Sequence, residues 1–185
     1  MFYKVRLKDT ARVAPQHFGK VVDQAIISQL REKYESFISK SLGIVVDVLA
    51  VHRHSEGIII PGDGAAFYEV EFDVLTFRLD LQEVINGKIL DIADFGAFLS
   101  VGPIEGMIHV SQTMDDFVSF TKEKVLQGRD SNRALKENDL CRTRVIAVSF
   151  KDVLNPKFGL TMRQPGLGKV EWVAASYEKK QAAKE

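Results

Sequence analysis

Along the first eighty residues the spacing of apolar positions changes period. Tyr3, Val5 and Leu7 alternate with Phe2, Lys4, Arg6 and Lys8, which predicts a strand. Pro15 stands where a first helical turn tolerates a missing N–H. Val22, Ile26, Leu30, Tyr34 and Phe37 then recur at three- and four-residue steps, the apolar stripe of a helix, with Gly43 as its expected stop. Period two returns over 44–51, read as a buried strand, then over a short strand at 57–60. Pro61-Gly62-Asp63-Gly64 is a tight turn, and 66–79 alternates again. The predicted order β-α-β-β is a small α+β layer, one helix packed on an antiparallel sheet.

From residue 82 the pattern becomes all-β. Strands are expected at 84–91, 96–101, 107–111, 140–150 and 158–162, with Gly, Asn and Asp at the corners. Short alternating strands so punctuated predict a closed five-stranded barrel. The stretch 114–138 is polar and irregular. A short helix is expected near 120–126 and mobility near 128–132. The tail from Lys169 favours helix, with Trp172 and Tyr177 available to dock it. Two domains are therefore expected, 1–81 and 82–185.

Composition narrows the classes. With 185 residues and 45% hydrophobic side chains there is material for two small cores, and no apolar run approaches the length of a membrane span. Charges at Lys4, Arg6, Lys8 and Asp9 argue against a signal peptide. Cys141 is the single cysteine, so no internal disulfide forms, and it reads as a packed small side chain. Basic and acidic residues balance at 25 each, which disfavours a duplex-DNA wrapper and confines any nucleic-acid site to a local patch. His52 and His54 are too few for a metal centre and read as surface or tip residues. Asp115-Asp116 reads as a solvated loop pair. No nucleophile–base grouping or phosphate loop has its required context, so neither catalysis nor a cofactor is expected.

One constellation does carry chemistry. If Ala97, Leu99 and Val101 fill the barrel, Phe98 faces out. Phe95 sits at the corner before it, and His109 faces out between inward Ile108 and Val110. Exposed rings on a barrel form a base-stacking platform worth about 1–3 kcal/mol per base. Lys88, Arg142, Arg144, Lys157 and Arg163 are the candidate phosphate contacts. The competing reading makes the phenylalanines core and His109 incidental. The agreement of spacing and strand pattern favours the platform.

GKILDIADFGAFLSV, EGMIHVSQ, KENDL and RTRVIAVS together resemble the S1-type OB fold over about 83–163. Where that family commonly turns on Gly-Asp, this chain has Asn138-Asp139. The resemblance implies that Phe95, Phe98 and His109 contact RNA. FYKVRLKDTARVAP, EGIIIPGDGAAFYEVEFDVLTF and GLTMRQPGLGKVEW extend it to nearly the full length. There the chain resembles the larger stalk subunit, the E subunit, of archaeal DNA-directed RNA polymerase, counterpart of the seventh subunit of eukaryotic RNA polymerase II. That family implies a truncated ribonucleoprotein-like N-terminal domain. Its tip, here Gly57, Ile59, Pro61, Gly62, Asp63 and Gly64, would dock on the polymerase core. It also implies a small helical partner subunit, nascent single-stranded RNA as ligand, and no catalysis by the chain itself. The expected location is the archaeal cytoplasm, or the nucleus if the source is eukaryotic. Two alternatives stay open: a free-standing RNA-binding module of translation or RNA decay, and an interaction protein whose barrel no longer binds RNA.

Overall fold

The computed structural model describes residues 1–35, 37–150, 152 and 156–182, with side chains of the last helix described to residue 177. The chain divides into two compact units, Met1–Arg78 and Leu79–Glu185.

The first unit contains β1 (Phe2–Val13), α1 (Val22–Tyr34), β2 (Ile38–Ser39), β3 (Gly43–His54), β4 (Ile58–Ile59) and β5 (Ala66–Phe77). The antiparallel sheet runs β1-β5-β3-β2, with β4 added against β5. Ile26 and Leu30, one turn apart on α1, are fully buried against Val45, Val48, Val70, Phe72 and Val74. Each such side chain contributes about 1.5–3 kcal/mol by leaving water. This is the expected helix on a sheet, with local corrections. Pro15 opens only a three-residue 3-10 turn, Pro15–His17, and the α-helix starts at Val22. Phe37 falls beyond the helix and meets Tyr34 edge-on at 5.5 Å. Gly43 opens β3 rather than ending the helix. The strand β3 is not buried throughout. Its pairing with β5 shifts register three times, and the extra residues include Val46 and Leu49, both exposed.

On the sheet face away from α1, Asp73 is almost wholly covered. Arg6 Nε donates to its carboxylate at 2.9 Å, and Lys4 Nζ at 2.9 Å and His52 Nε2 at 2.7 Å lie against the other oxygen. These partners, Arg6 first, hold the carboxyl well below the usual range. His52 is thus part of an ion cluster, while His54 lies edge-on to Tyr68 at 5.8 Å.

The second unit contains β6 (Val84–Ala93), β7 (Gly96–Val101), β8 (Ile104–His109), β9 (Val118–Phe120), β10 (Leu126–Gly128), β11 (Ala134–Leu135), β12 (Leu140–Ser149), β13 (Lys157–Thr161), β14 (Gly168–Lys169) and α2 (Val170–Ala182). Strands β13-β8-β7-β6-β12 form a closed barrel, because β12 also pairs with β13. Among the described residues only the β8–β13 pairing is parallel. Ile89, Ile92, Ala97, Leu99, Val101, Ile108, Val145 and Leu160 fill it. The third barrel strand begins three residues earlier than expected and stops at His109, because Val110–Gln112 coils into a 3-10 turn.

The stretch 114–138 departs most from expectation. No helix forms at 120–126. Instead β9, β10 and β11 make a three-stranded antiparallel sheet whose Leu126 and Leu135 are fully buried. The segment read as mobile is tied down: Asp130 N, Ser131 N and Ser131 Oγ all donate to Asp116. Those bonds, Ser131 first, lower the Asp116 carboxyl to about 2. Asp116 is therefore a turn clamp rather than a solvated loop residue. Its neighbour Asp115 pairs with Arg163. The tail helix α2 docks through Trp172, whose ring lies under the Arg133 guanidinium at 5.4 Å. The last residues of that expected helix, 183–185, lie outside the described residues.

Candidate nucleic-acid interface

The outer face of β7 and β8 collects the aromatic residues. Alternation sends Ala97, Leu99 and Val101 inward and leaves Phe98 half-buried on the outside. Phe95, in the β6–β7 turn, is 48% exposed and meets Phe98 edge-on with centroids 5.9 Å apart. His109 is exposed and pairs across the strands with Gly96, the residue that follows Phe95. Val110 N donates to Phe95 O at 2.8 Å, which closes the corner. The imidazole Nδ1 lies 2.8 Å from Ser111 Oγ and accepts from Ser111 N at 3.3 Å. This fixes the ring and leaves Nε2 outward. Met107, directly opposite Phe98 and 36% exposed, extends the apolar surface. It was not a sequence candidate, although alternation from His109 points to it.

The candidate cations divide into groups. Lys88 lies on the outer face of β6, opposite Ser100 of β7. Lys157 lies on β13, two residues before Gly159, which pairs with Met107. These two lysines flank the aromatic surface from either side, and neither forms an ion pair among the described residues. Arg142 and Arg144 are on β12, separated from β7 by the whole of β6, and so do not border the rings. Arg142 Nε donates to Asn86 at 3.4 Å, and Arg144 Nε is buried. Arg163 is bound to Asp115 through Nε at 2.9 Å and a terminal nitrogen at 2.6 Å. Asp91, opposite Phe98, is offset by Lys124 at 2.7 Å, which holds its carboxyl below the ordinary range, and Glu105 shares the outer face of β8 with Met107 and His109, opposite Ser100.

The first unit presents a different surface. The turn Pro61-Gly62-Asp63-Gly64 closes through Asp63 N to Ile60 O at 3.0 Å, with Gly62 at φ +92°. Only glycine takes that conformation without strain. Asp63 is occupied internally, receiving Arg12 through two nitrogens at 2.9 and 2.7 Å and Ala65 N at 3.2 Å. A Cβ on Gly57 would come 2.7 Å from the end of the Tyr68 ring, which would have to shift to admit it. Beside this turn Ile58, Ile59 and Ile60 are 48–66% exposed. Phe18, Val21 and Val22 join them across a groove of about 270 Å³ that Phe18, Val22, Ile59 and Tyr68 help to line. Of this apolar patch the sequence reading held the tip residues 57–64 but not Phe18, Val21 or Val22. The rest is assembled by bringing the start of α1 beside β4.

Residues 8–64 match the SHS2 domain found in the N terminus of Rpb7p/Rpc25p/MJ0397, and residues 79–151 match the S1 RNA binding domain. The DNA-directed RNA polymerase subunit Rpo7 of Sulfolobus acidocaldarius is 37% identical over 94% of this chain and 95% of its own length. The chain belongs to the Rpo7 family of DNA-directed RNA polymerase subunits. Rpo7 of Saccharolobus solfataricus is also 37% identical, over 94% of this chain and 97% of the relative. The bovine DNA-directed RNA polymerase III subunit RPC8 is 24% identical over 82% of this chain and 78% of the relative. Identity therefore places this Rpo7-family chain nearer the archaeal members. Each matched domain lies within one of the two units. The aromatic surface lies within the S1 match, and Ile58–Ile60 lie within the SHS2 match. Among the described residues no helix is long and apolar enough to cross a membrane.

Proposed function

We propose that this chain is the larger, non-catalytic stalk subunit of an archaeal DNA-directed RNA polymerase, acting in the cytoplasm on nascent RNA. The observation that carries the proposal is the exposed Phe95–Phe98–His109 surface on the S1 barrel. Rings open to solvent accept bases by stacking and impose no sequence, because every base has a π-face. Lys88 and Lys157 stand on either side where a phosphate backbone would run, and Met107 broadens the contact. Such a surface holds a transcript on a defined path during elongation and termination. The first unit is the anchor. Its exposed apolar turn docks in a crevice of the polymerase core near the clamp, and docking there favours the closed clamp during initiation. A small helical subunit completes the stalk as a heterodimer with this chain.

The direct test replaces Phe95, Phe98 and His109 by alanine together and measures binding of a labelled oligouridine by fluorescence anisotropy. The expected loss is at least about tenfold, equivalent to one stacked base. Unchanged affinity refutes the platform. Attachment is tested by capture from native extract with this chain as bait. Recovery of the large polymerase subunits with one small helical protein is expected. Recovery of ribosomal or RNA-decay proteins without polymerase overturns the stalk assignment.

A further inference from the structure

We propose that the sheet inserted between β8 and β12 is a second single-stranded RNA contact, with Phe120 stacking on a base and Lys122 holding a phosphate. This rests on the RNA reading of the barrel and extends it beyond the β7–β8 face.

Phe120 is the first observation. It pairs with Leu126 across the β9–β10 hairpin and so shares a face with Leu126 and Leu135, both fully buried. Yet Phe120 stays 42% exposed, a large ring on the inward face that the insert's core does not absorb. The second observation is where this end of the hairpin is held. Lys124 Nζ reaches Asp91 Oδ1 at 2.7 Å, and Asp91 stands opposite Phe98. Phe120 and Phe98 therefore belong to segments joined by one ion pair. Next to Asp91 on β6 the bulge residue Leu90 is 44% exposed.

The insert is also a fixed neighbour rather than a loose flap. Thr121 and Val125 close the hairpin turn, with Thr121 N to Val125 O at 3.0 Å. At its base Asn138 N donates to Ile89 O, and Ile89 N to Asp139 O, both at 2.9 Å. Lys136 N donates to the Asp139 carboxylate at 2.8 Å. The cations divide their work. Lys124 is engaged by Asp91 and lies 3.7 Å from Glu137, so it latches the hairpin. Lys122 is exposed and carries no ion pair among the described residues. An exposed ring with an ammonium two residues further along the chain supplies the two groups that sequence-tolerant binding of single strands requires.

OB-type sites span about 4–16 nucleotides, so strand length separates the two contacts. Anisotropy of the full chain is measured with labelled oligouridines of about 4 and about 12 nucleotides. In the Phe120→Ala, Lys122→Ala double variant the short strand should bind as before. The long strand should lose roughly 5- to 150-fold, the worth of one stacked base. Both residues are exposed, so the fold should tolerate the change. A single Lys122→Glu variant, with a smaller loss confined to the long strand, guards against misfolding. An unchanged long-strand affinity, or equal losses at both lengths, overturns the insert contact while leaving the platform standing. If the wild-type chain binds neither strand, the RNA reading itself fails and the insert contact falls with it; if the Phe95, Phe98, His109 triple variant binds both normally, the platform fails and the insert contact, argued as its extension, falls with it.

Discussion

Gly96→Ala is the substitution that most directly couples this fold to its surface. A Cβ built on Gly96 would lie 2.2 Å from the backbone oxygen of Ile108 and 3.1 Å from Cα of His109. A carbon–oxygen contact settles near 3.3 Å, so one strand must retreat by about 1 Å. The obstacle is backbone on both sides, and no flexible side chain can move away. Overpacking of this kind costs about 1–3 kcal/mol. The retreat also strains the Val110 N to Phe95 O bond, whose loss adds about 0.5–1.5 kcal/mol. The expected destabilisation of the barrel is therefore about 2–4 kcal/mol. Trp172, the only tryptophan, lies in the same unit, so its fluorescence follows barrel unfolding in urea. With a slope of about 2 kcal/mol/M, the midpoint should fall by about 1–2 M. The same retreat separates His109 from the two rings, so oligouridine affinity should fall in the fraction that remains folded. A midpoint within about 0.3 M of wild type would refute the reasoning, since β7 and β8 would then be able to part without cost.

Two further outcomes follow from buried groups. Asp73 has a folded pKa held below its unfolded value of about 3.9, so its stabilising contribution is complete above about pH 4 and is lost as the pH falls further. Thermal melts of Asp73→Asn should therefore show a lower Tm than wild type at neutral pH, with the gap narrowing near pH 3; a gap independent of pH would show that the carboxylate's charge is not what the cluster uses. Burial, then the charge of Asp139, pushes the Cys141 thiol up to about 12, so a thiol reagent at neutral pH should label the chain only after denaturation, and rapid labelling of the native protein would contradict the packed position of that strand.

Much of this architecture was written locally. The Ile26–Leu30 stripe forms a helix because those side chains fall on one face whatever surrounds them, and alternation over 96–101 sends Leu99 inward and Phe98 outward because the pleat has period two. The turn at 61–64 is likewise set by Pro61 and by Gly62, whose positive φ no other residue type there would favour. The insert was not legible for a corresponding reason. Its strands are two or three residues long, too short to show a period, and Leu126 and Leu135 become a core only when three separated segments pair. Strand ends were equally open: Val110 has the apolar character of a strand residue, but its N–H turns back to Phe95 and the chain coils. Charge placement was least legible of all. Composition treats Lys88, Arg142 and Arg163 alike, whereas register puts Lys88 beside the rings, places Arg142 beyond β6, and spends Arg163 on Asp115. Sequence by itself determined which side chains face out, since that depends on backbone period. Tertiary structure alone decided which outward groups become neighbours, since that depends on pairing between residues far apart in the chain.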